Sequence, residues 1–513
     1  MSKRLIIILA LAFVVGIAFA AYAEVQNVKV SGDLTVKGVY RNDFDLAKSN
    51  DNIAVNTVTR RDKQQDLLSI TRVRIDADLT DNVMTTVRLL NERNWNGDSI
   101  ADIASSNRNI GLGATSTHHD EQQIDLDLAY VTMKEFLYSP LTLTVGRQEL
   151  RFGNGWIVGD PDTNGIALRS ALAEGDLSLR KAFDAIRATL NYEVMSNPLV
   201  IDMIYAKVAE NSSILNDDTT LSGINANYKL DKNNTAEWFF FQKTRGSNSP
   251  AAINLDAGEA AGTAGTLAYS ADHLFKQTAD IVNTVGARLV NTALKNLMLD
   301  VQGAFQFGTY NPRFDPNARY IDALSKAETA NRRAWGLELG GMFSLADIKR
   351  IEKYQPSIGG CYIYLSGENR DRTGRGDYHG WDSMFEDQTS GHILNAVMGF
   401  SNVQLGALSA QAKPMEDITA KLDYVAAWFN KRYERYRNTI LSGVSGARQF
   451  TMNKNPFIGQ EIDLTLTYDY TEDVQFSLLS GWFLPSSSIN KGDNTQPQRA
   501  SATEVIGSMK VTF

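Results

Sequence analysis

Glu461-Ile-Asp-Leu-Thr-Leu-Thr-Tyr-Asp-Tyr470 alternates without a break. Ile462, Leu464, Leu466, Tyr468 and Tyr470 fall on one side of an extended chain. Glu461, Asp463, Thr465, Thr467 and Asp469 fall on the other. A period of two marks a strand with one apolar and one polar face. Leu297–Phe307 and Ile418–Trp428 carry the same period. Helical periodicity is scarce.

Working outward, candidate strands lie at 28–41, 66–80, 83–93, 123–133, 141–151, 183–194, 199–209, 221–230, 235–243, 283–291, 296–308, 332–343, 356–366, 391–400, 417–428, 459–470, 474–483 and 504–513. The count is about 18 (16–18), and lengths near ten residues suit tilted membrane strands. Connections mostly alternate long and short. Asp81-Asn82, Ser196-Asn197-Pro198, Asp231–Asn234 and Thr471–Asp473 are short and turn-like. The stretches 42–65, 94–122, 152–182, 244–282, 309–331, 367–390, 429–458 and 484–503 are long. Outer-membrane barrels have short periplasmic turns and long extracellular loops. A soluble β-sandwich has no reason to keep that asymmetry. Two supposed turns, 344–355 and 401–416, exceed the pattern, so each is a real loop or marks a misplaced strand.

The chain ends in the same alternation: Val505, Gly507, Met509, Val511, Phe513. A terminal aromatic strand resembles the signal by which bacterial outer-membrane proteins are recognised for insertion, so the barrel-assembly machinery is an expected partner of the Phe513 end. The N-terminus holds Lys3 and Arg4, an apolar run from Leu5 to Ala21, and Ala21-Tyr-Ala23. This reads as a signal peptide over 1–23, leaving 24–513 as one barrel domain. A membrane anchor is the alternative, but the run is short and ends at a cleavage-like site.

Composition narrows the classes. The 513 residues contain 51 Lys+Arg and 59 Asp+Glu, for a net charge of -8. A chain 43% hydrophobic and 21% charged is not disordered. Mild acidity argues against broad nucleic-acid binding, so no nucleic-acid partner is expected. One cysteine, Cys361, excludes a disulfide scaffold and a multi-thiolate zinc site. A mean hydropathy of -0.25 is compatible with a membrane barrel, whose strands do not raise the average.

In a membrane barrel the apolar face meets lipid and the polar face lines the lumen. Eighteen strands leave an aqueous channel rather than a packed core. Tyr40, Tyr192, Trp428, Tyr470 and Trp482 suit the interfacial aromatic girdles. Outer-membrane lipid and lipopolysaccharide are therefore expected partners. Alternation places Arg72, Arg74, Asp76 and Asp78 on the inner face, followed by Arg88 and Glu92, Arg187 and Glu193, then Lys229, Arg288, Lys421, Asp423, Glu461 and Asp463. Arg147, Glu149 and Arg151 break the scheme: strict parity puts them beside Leu143 and Val145. Either a bulge at Gly146 switches the phase, or this end of the strand rises above the bilayer. Guanidinium groups in a pore bind carboxylates and attract anions. The alternative role is bracing, in which mixed charges pair across the wall.

Thr71-Arg-Val-Arg-Ile-Asp-Ala-Asp-Leu79, Asp127-Leu-Ala-Tyr-Val131, Val145-Gly-Arg-Gln-Glu-Leu-Arg-Phe-Gly153 and Phe183-Asp-Ala-Ile-Arg187, in that order, resemble the bacterial alginate-export outer-membrane porin family. Gly459–Tyr468 and the final strands resemble its C-terminal end. The resemblance implies a monomeric 18-stranded barrel with an arginine-bearing lumen that passes an anionic uronate polysaccharide outward. It also implies solute contacts by Arg72, Arg74, Arg147, Arg151 and Arg187. The mixed lumen charge departs from the lopsided charge of a strongly anion-selective pore. The solute class therefore stays open between a uronate polysaccharide and small solutes of a general porin.

Other signals are weaker. Asp160, Asp162 and Asn164 resemble the start of a calcium loop, but position twelve is Ala171, not Glu. No cofactor is expected beyond that candidate calcium. His118-His-Asp-Glu121 reads as a solvated loop rather than a metal site, and Ala251–Ala271 as a small-residue loop. No nucleotide loop or nucleophile elbow is present, so an enzyme is not expected. A barrel lipid hydrolase and a secreted polysaccharide-binding β-protein are the remaining alternatives.

Overall fold

The computed structural model describes residues 27–44, 46, 63–95, 124–161, 175–210, 216, 218–247, 278–311, 329–368, 376–387, 390–431, 436–437, 449–452, 455–487, 489–491 and 500–513. The expected signal peptide 1–23, His118–Glu121, Asp162, Asn164 and Ala251–Ala271 lie outside the described residues.

The strands are β1 (Asn27–Asn42), β2 (Lys63–Thr80), β3 (Val83–Asn94), β4 (Asp125–Met133), β5 (Leu141–Glu149), β6 (Ala182–Val194), β7 (Asn197–Ala209), β8 (Thr219–Lys229), β9 (Asn234–Arg245), β10 (Asp280–Asn291), β11 (Leu297–Tyr310), β12 (Ala330–Ser344), β13 (Ser357–Leu365), β14 (Val403–Met415), β15 (Ile418–Phe429), β16 (Tyr436–Arg437), β17 (Gln449–Met452), β18 (Phe457–Asp469), β19 (Val474–Pro485), β20 (Ile489–Lys491) and β21 (Ala502–Thr512). β16, β17 and β20 form a small separate sheet. The other 18 make one antiparallel sheet that closes on itself. Closure runs through β21, which pairs with β19 on one side and β1 on the other, from Asp33↔Thr512 to Asn42↔Thr503. Phe513 N–H donates to the Gly32 carbonyl and Gly32 N–H to the Phe513 carbonyl, at 3.0 and 2.8 Å. No barrel strand is left with an open edge, which satisfies the backbone groups in a membrane.

The two faces separate cleanly. On β9, Trp238 and Phe240 are exposed while Glu237, Phe239 and Phe241 are buried. On β13, Tyr362 is exposed and its neighbour Ile363 is buried. Large exposed apolar residues recur around the sheet, including Ile75, Ile186, Tyr205, Val285, Trp335, Leu408, Leu464 and Trp482. A continuous apolar exterior of this kind is the lipid-facing band of a membrane barrel. Buried residues therefore face inward.

Two expectations are corrected. Residues 391–400 are not a strand. They contain helix α1 (His392–Val397), whose Ile393, Leu394, Ala396 and Val397 are buried at helical spacing. The strand is β14, lying where the turn 401–416 was expected. Its Ala, Ser and Gln content dilutes the alternation that the eye follows. With β14 in place, a two-residue connection separates it from β15, and long and short connections alternate throughout the barrel. The second long turn, 345–356, is real and holds a 3-10 turn at Glu352–Tyr354.

The interior also differs from an open aqueous bore. Three connecting segments at the long-loop end fold inward: 150–161, 175–181 and the described residues of 378–402 (378–387 and 390–402). Leu150, Phe152, Trp156, Ile157, Val158, Trp381, Met384, Phe385, Ile393, Leu394 and Val397 pack on Phe183, Phe239, Phe241, Leu365, Leu405 and Phe483 of the wall. Leu177 and Leu179 cover a smaller apolar patch of Leu68, Ile70, Leu90, Leu479 and Ile506. The inner apolar side chains sit toward the long-loop ends of their strands. The wall there is built to hold a filling, which average alternation does not reveal.

Candidate functional site

Two of the inward segments are joined to each other. Val158 and Phe385 form a parallel bridge. Phe385 N–H donates to the Ile157 carbonyl, and Asp387 N–H to the Gly155 carbonyl. Trp156 stacks on Trp381 with centroids 5.4 Å apart. The 378–402 segment is then tied to both sides of the wall. On one side, Lys243 of β9 pairs with Asp382, while Gln306 of β11 clasps the Asp382 backbone from both ends (2.7 and 2.8 Å). On the other, Glu461 of β18 accepts the N–H groups of Ile393 and Leu394 at 2.8 and 2.7 Å, and Asp463 accepts that of His392. Two carboxylates thus satisfy the otherwise orphaned amides at the start of α1. The segment is a fastened constriction.

Electrostatics follow that packing. Burial raises the Asp382 carboxyl, but Lys243, Arg245 and Arg332 outweigh it and hold it well below the usual carboxylate range. Burial, reinforced by Asp382 and Glu338, pushes Glu386 well up. For Asp387, burial is opposed by Lys181 and Arg151, and its carboxyl is held low.

Below the constriction the wall is ionic, and each arginine singled out in the sequence, together with Lys421, has an acidic partner. Arg72 donates to Asp33 at 2.7 Å across β1 and β2. Arg74 pairs with Asp76 at 2.8 Å, and Asp76 also accepts from Thr86. Arg88 contacts Asp127 and Glu149. Arg187 pairs with Asp202 at 2.8 Å and lies over the Phe152 ring. Arg288 pairs with Asp300 at 2.6 Å and approaches Glu237 at 3.6 Å. Lys421 pairs with Asp423 at 2.9 Å. Glu193 shares the Arg187 face at the short-turn end of β6. The partners Asp33, Asp127, Asp202, Asp300 and Asp387 were missed from sequence. Each sits on an inner-parity position or in an inward loop, and parity alone says nothing about which strand is next to which.

Of the two readings of Arg147, the bulge is overturned. Pairing runs through Gly146 without a register shift on both β4 and β6. The bulge expectation is therefore corrected. Gly146 instead takes φ +125°, where a Cβ would meet the Ala129 carbonyl at 2.2 Å. Arg147 stays on the Val145 face and pairs with Asp184 at 3.1 Å. Glu149 and Arg151 turn inward to Arg88 and Asp387. Of the calcium candidates, only Asp160 is described; its N–H donates to the Phe385 carbonyl.

A closed 18-stranded barrel with an apolar exterior, an ionic inner wall and a loop constriction defines an outer-membrane channel of the bacterial envelope. Residues 31–502 match the family described as alginate export. The chain belongs to the alginate export family. Among solved structures it is similar to Pseudomonas aeruginosa OpdO, with 10% identity over 96% of this chain and 98% of that chain and a TM-score of 0.50. It is equally similar to Acinetobacter baumannii OccAB1, with 10% identity over 96% and 99% and a TM-score of 0.50. At this identity the likeness concerns the fold. No curated protein matches the sequence.

Proposed function

We propose that the channel passes an anionic solute, alginate or a similar uronate polysaccharide, along a lumen whose accessible charge is positive. The observation that carries this is an asymmetry within the ion pairs. Formal charges cancel, yet the base is clearly the more exposed partner in five pairs spread around the wall. Side-chain exposure is 51% for Arg151 against 20% for Asp387, 46% for Lys421 against 19% for Asp423, and 32% for Arg187 against 6% for Asp202. Arg72 over Asp33 and Arg74 over Asp76 follow the same order. The order reverses for Lys243 with Asp382, Arg180 with Asp125, Arg41 with Asp176 and Arg88 with Glu149, toward the long-loop end, and for Arg147 with Asp184 on the outer face. At these five pairs a solute in the bore meets guanidinium and ammonium groups, with the carboxylates tucked behind them. Bracing and solute contact are compatible: the acid orients the base, and the free N–H groups of the base face the bore. The expected outer-membrane lipid and assembly-machinery contacts fit the apolar exterior and the exposed Phe513 ring.

Efflux from proteoliposomes tests the reading. A labelled oligouronate should leave faster than a neutral oligosaccharide of equal length. Faster release of the neutral sugar supports a general small-solute porin instead.

A further inference from the structure

Two ion-pair contacts join the 378–402 segment to basic residues, and they differ in kind. Lys243 with Asp382 is closed: the lysine side chain is 1% exposed. The other is open. Asp387 offers one carboxylate oxygen to Arg151 Nε at 3.2 Å and the other to Lys181 Nζ. Arg151 and Lys181 flank the β5–β6 connection, two residues after one strand and immediately before the other. Arg151 is also held by the Asn154 carbonyl at 2.8 Å. Asp387 is anchored through its backbone at Gly155, so only its side chain is free to turn.

We propose that Asp387 is an internal stand-in for the solute's carboxylate. It occupies a two-cation site, Arg151 plus Lys181, which a uronate carboxylate takes by displacing it during passage. The inference rests on the uronate reading above and names a specificity residue within it. One oxygen to each of two cations is the geometry in which a sugar carboxylate is held. Exposed ion pairs exchange partners at little cost, whereas buried ones do not. The open site therefore turns over with solute, and the closed Lys243–Asp382 pair keeps the segment in place. A built-in competitor also keeps the site from trapping a polyanion, because conduction needs binding weak enough to release.

The test is block of single-channel current by a short soluble oligouronate in planar bilayers. Asp387→Asn keeps the side-chain shape and removes the competitor. It should tighten block by about fivefold, the scale of one exposed charge contact. Lys181→Gln should weaken block and remains informative if the first variant assembles poorly. Glu210→Gln makes the same charge change at the Lys207 pair outside this site and should match the wild type. Wild-type block that Asp387→Asn and Lys181→Gln leave unaltered overturns this inference alone. Absence of block in the wild type contradicts the uronate reading and this inference together.

Discussion

Asp382 shows how one residue can set the state of the channel. Its carboxyl lies in a loop, yet Lys243 reaches it from β9 and Gln306 holds its backbone from β11. Its folded pKa is depressed, so its contribution is complete above the unfolded carboxylate value of about 3.9 and fades as pH falls toward the folded value. Glu386 has a raised pKa and acts in the opposite sense: it favours the folded state in acid and loses that contribution as pH rises through its folded value. Loosening in acid is therefore assigned to Asp382. Single-channel conductance should show no loosening from about pH 7 to pH 5 and become larger or noisier below about pH 4. Asp382→Asn should show that noise at neutral pH, and an unchanged profile would remove Asp382 from this role. The sequence made the face of most wall residues legible, Glu149 and Arg151 excepted. Arg72, Arg74 and Asp76 fall together because the strand period is two, and a one-residue slip would move all of them. It did not make partners legible. Arg187 finds Asp202 through the register of β6 on β7, and Arg151 finds Asp387 across 236 residues.

Elements were legible in proportion to their contrast. β18 alternates Leu and Tyr with Asp and Thr, and it is a strand over Phe457–Asp469. β14 was missed because Gln404, Gly406, Ala407, Ser409 and Ala410 give weak contrast between faces. α1 was misread because a six-residue stretch with only four apolar residues fits a strand or a helix equally well. The register of β14 has a direct check. Leu408 is 65% exposed on the outer face, between inward Ala407 and Ser409. Leu408→Arg should destabilise the barrel by about 2–4 kcal/mol if it lies at mid-bilayer, whereas Ser409→Arg should be tolerated. Heat-modifiable gel mobility and denaturant midpoints of the folded barrel measure both. Equal effects would place the strand one residue out of register.

At the scale of the whole molecule, loop rhythm was the decisive signal. Long and short connections identify a barrel with two unlike ends, and the closed sheet follows from that. The constriction was not legible, because 152–161 and 378–387 lie in stretches that sequence reading treats only as long loops, and 391–400 reads there as a wall strand. Their apolar side chains have a place only once β9, β12, β13 and β18 surround them. The average charge misleads in the same way. A net charge of -8 counts every ionised group equally, whereas a solute meets the exposed ones. The most direct measurement is the reversal potential of the reconstituted channel under a salt gradient. The account expects an anion preference that falls when Arg72, Arg74 and Arg187 are made neutral, since each change also unmasks an acid. Cation preference in the wild type would contradict it.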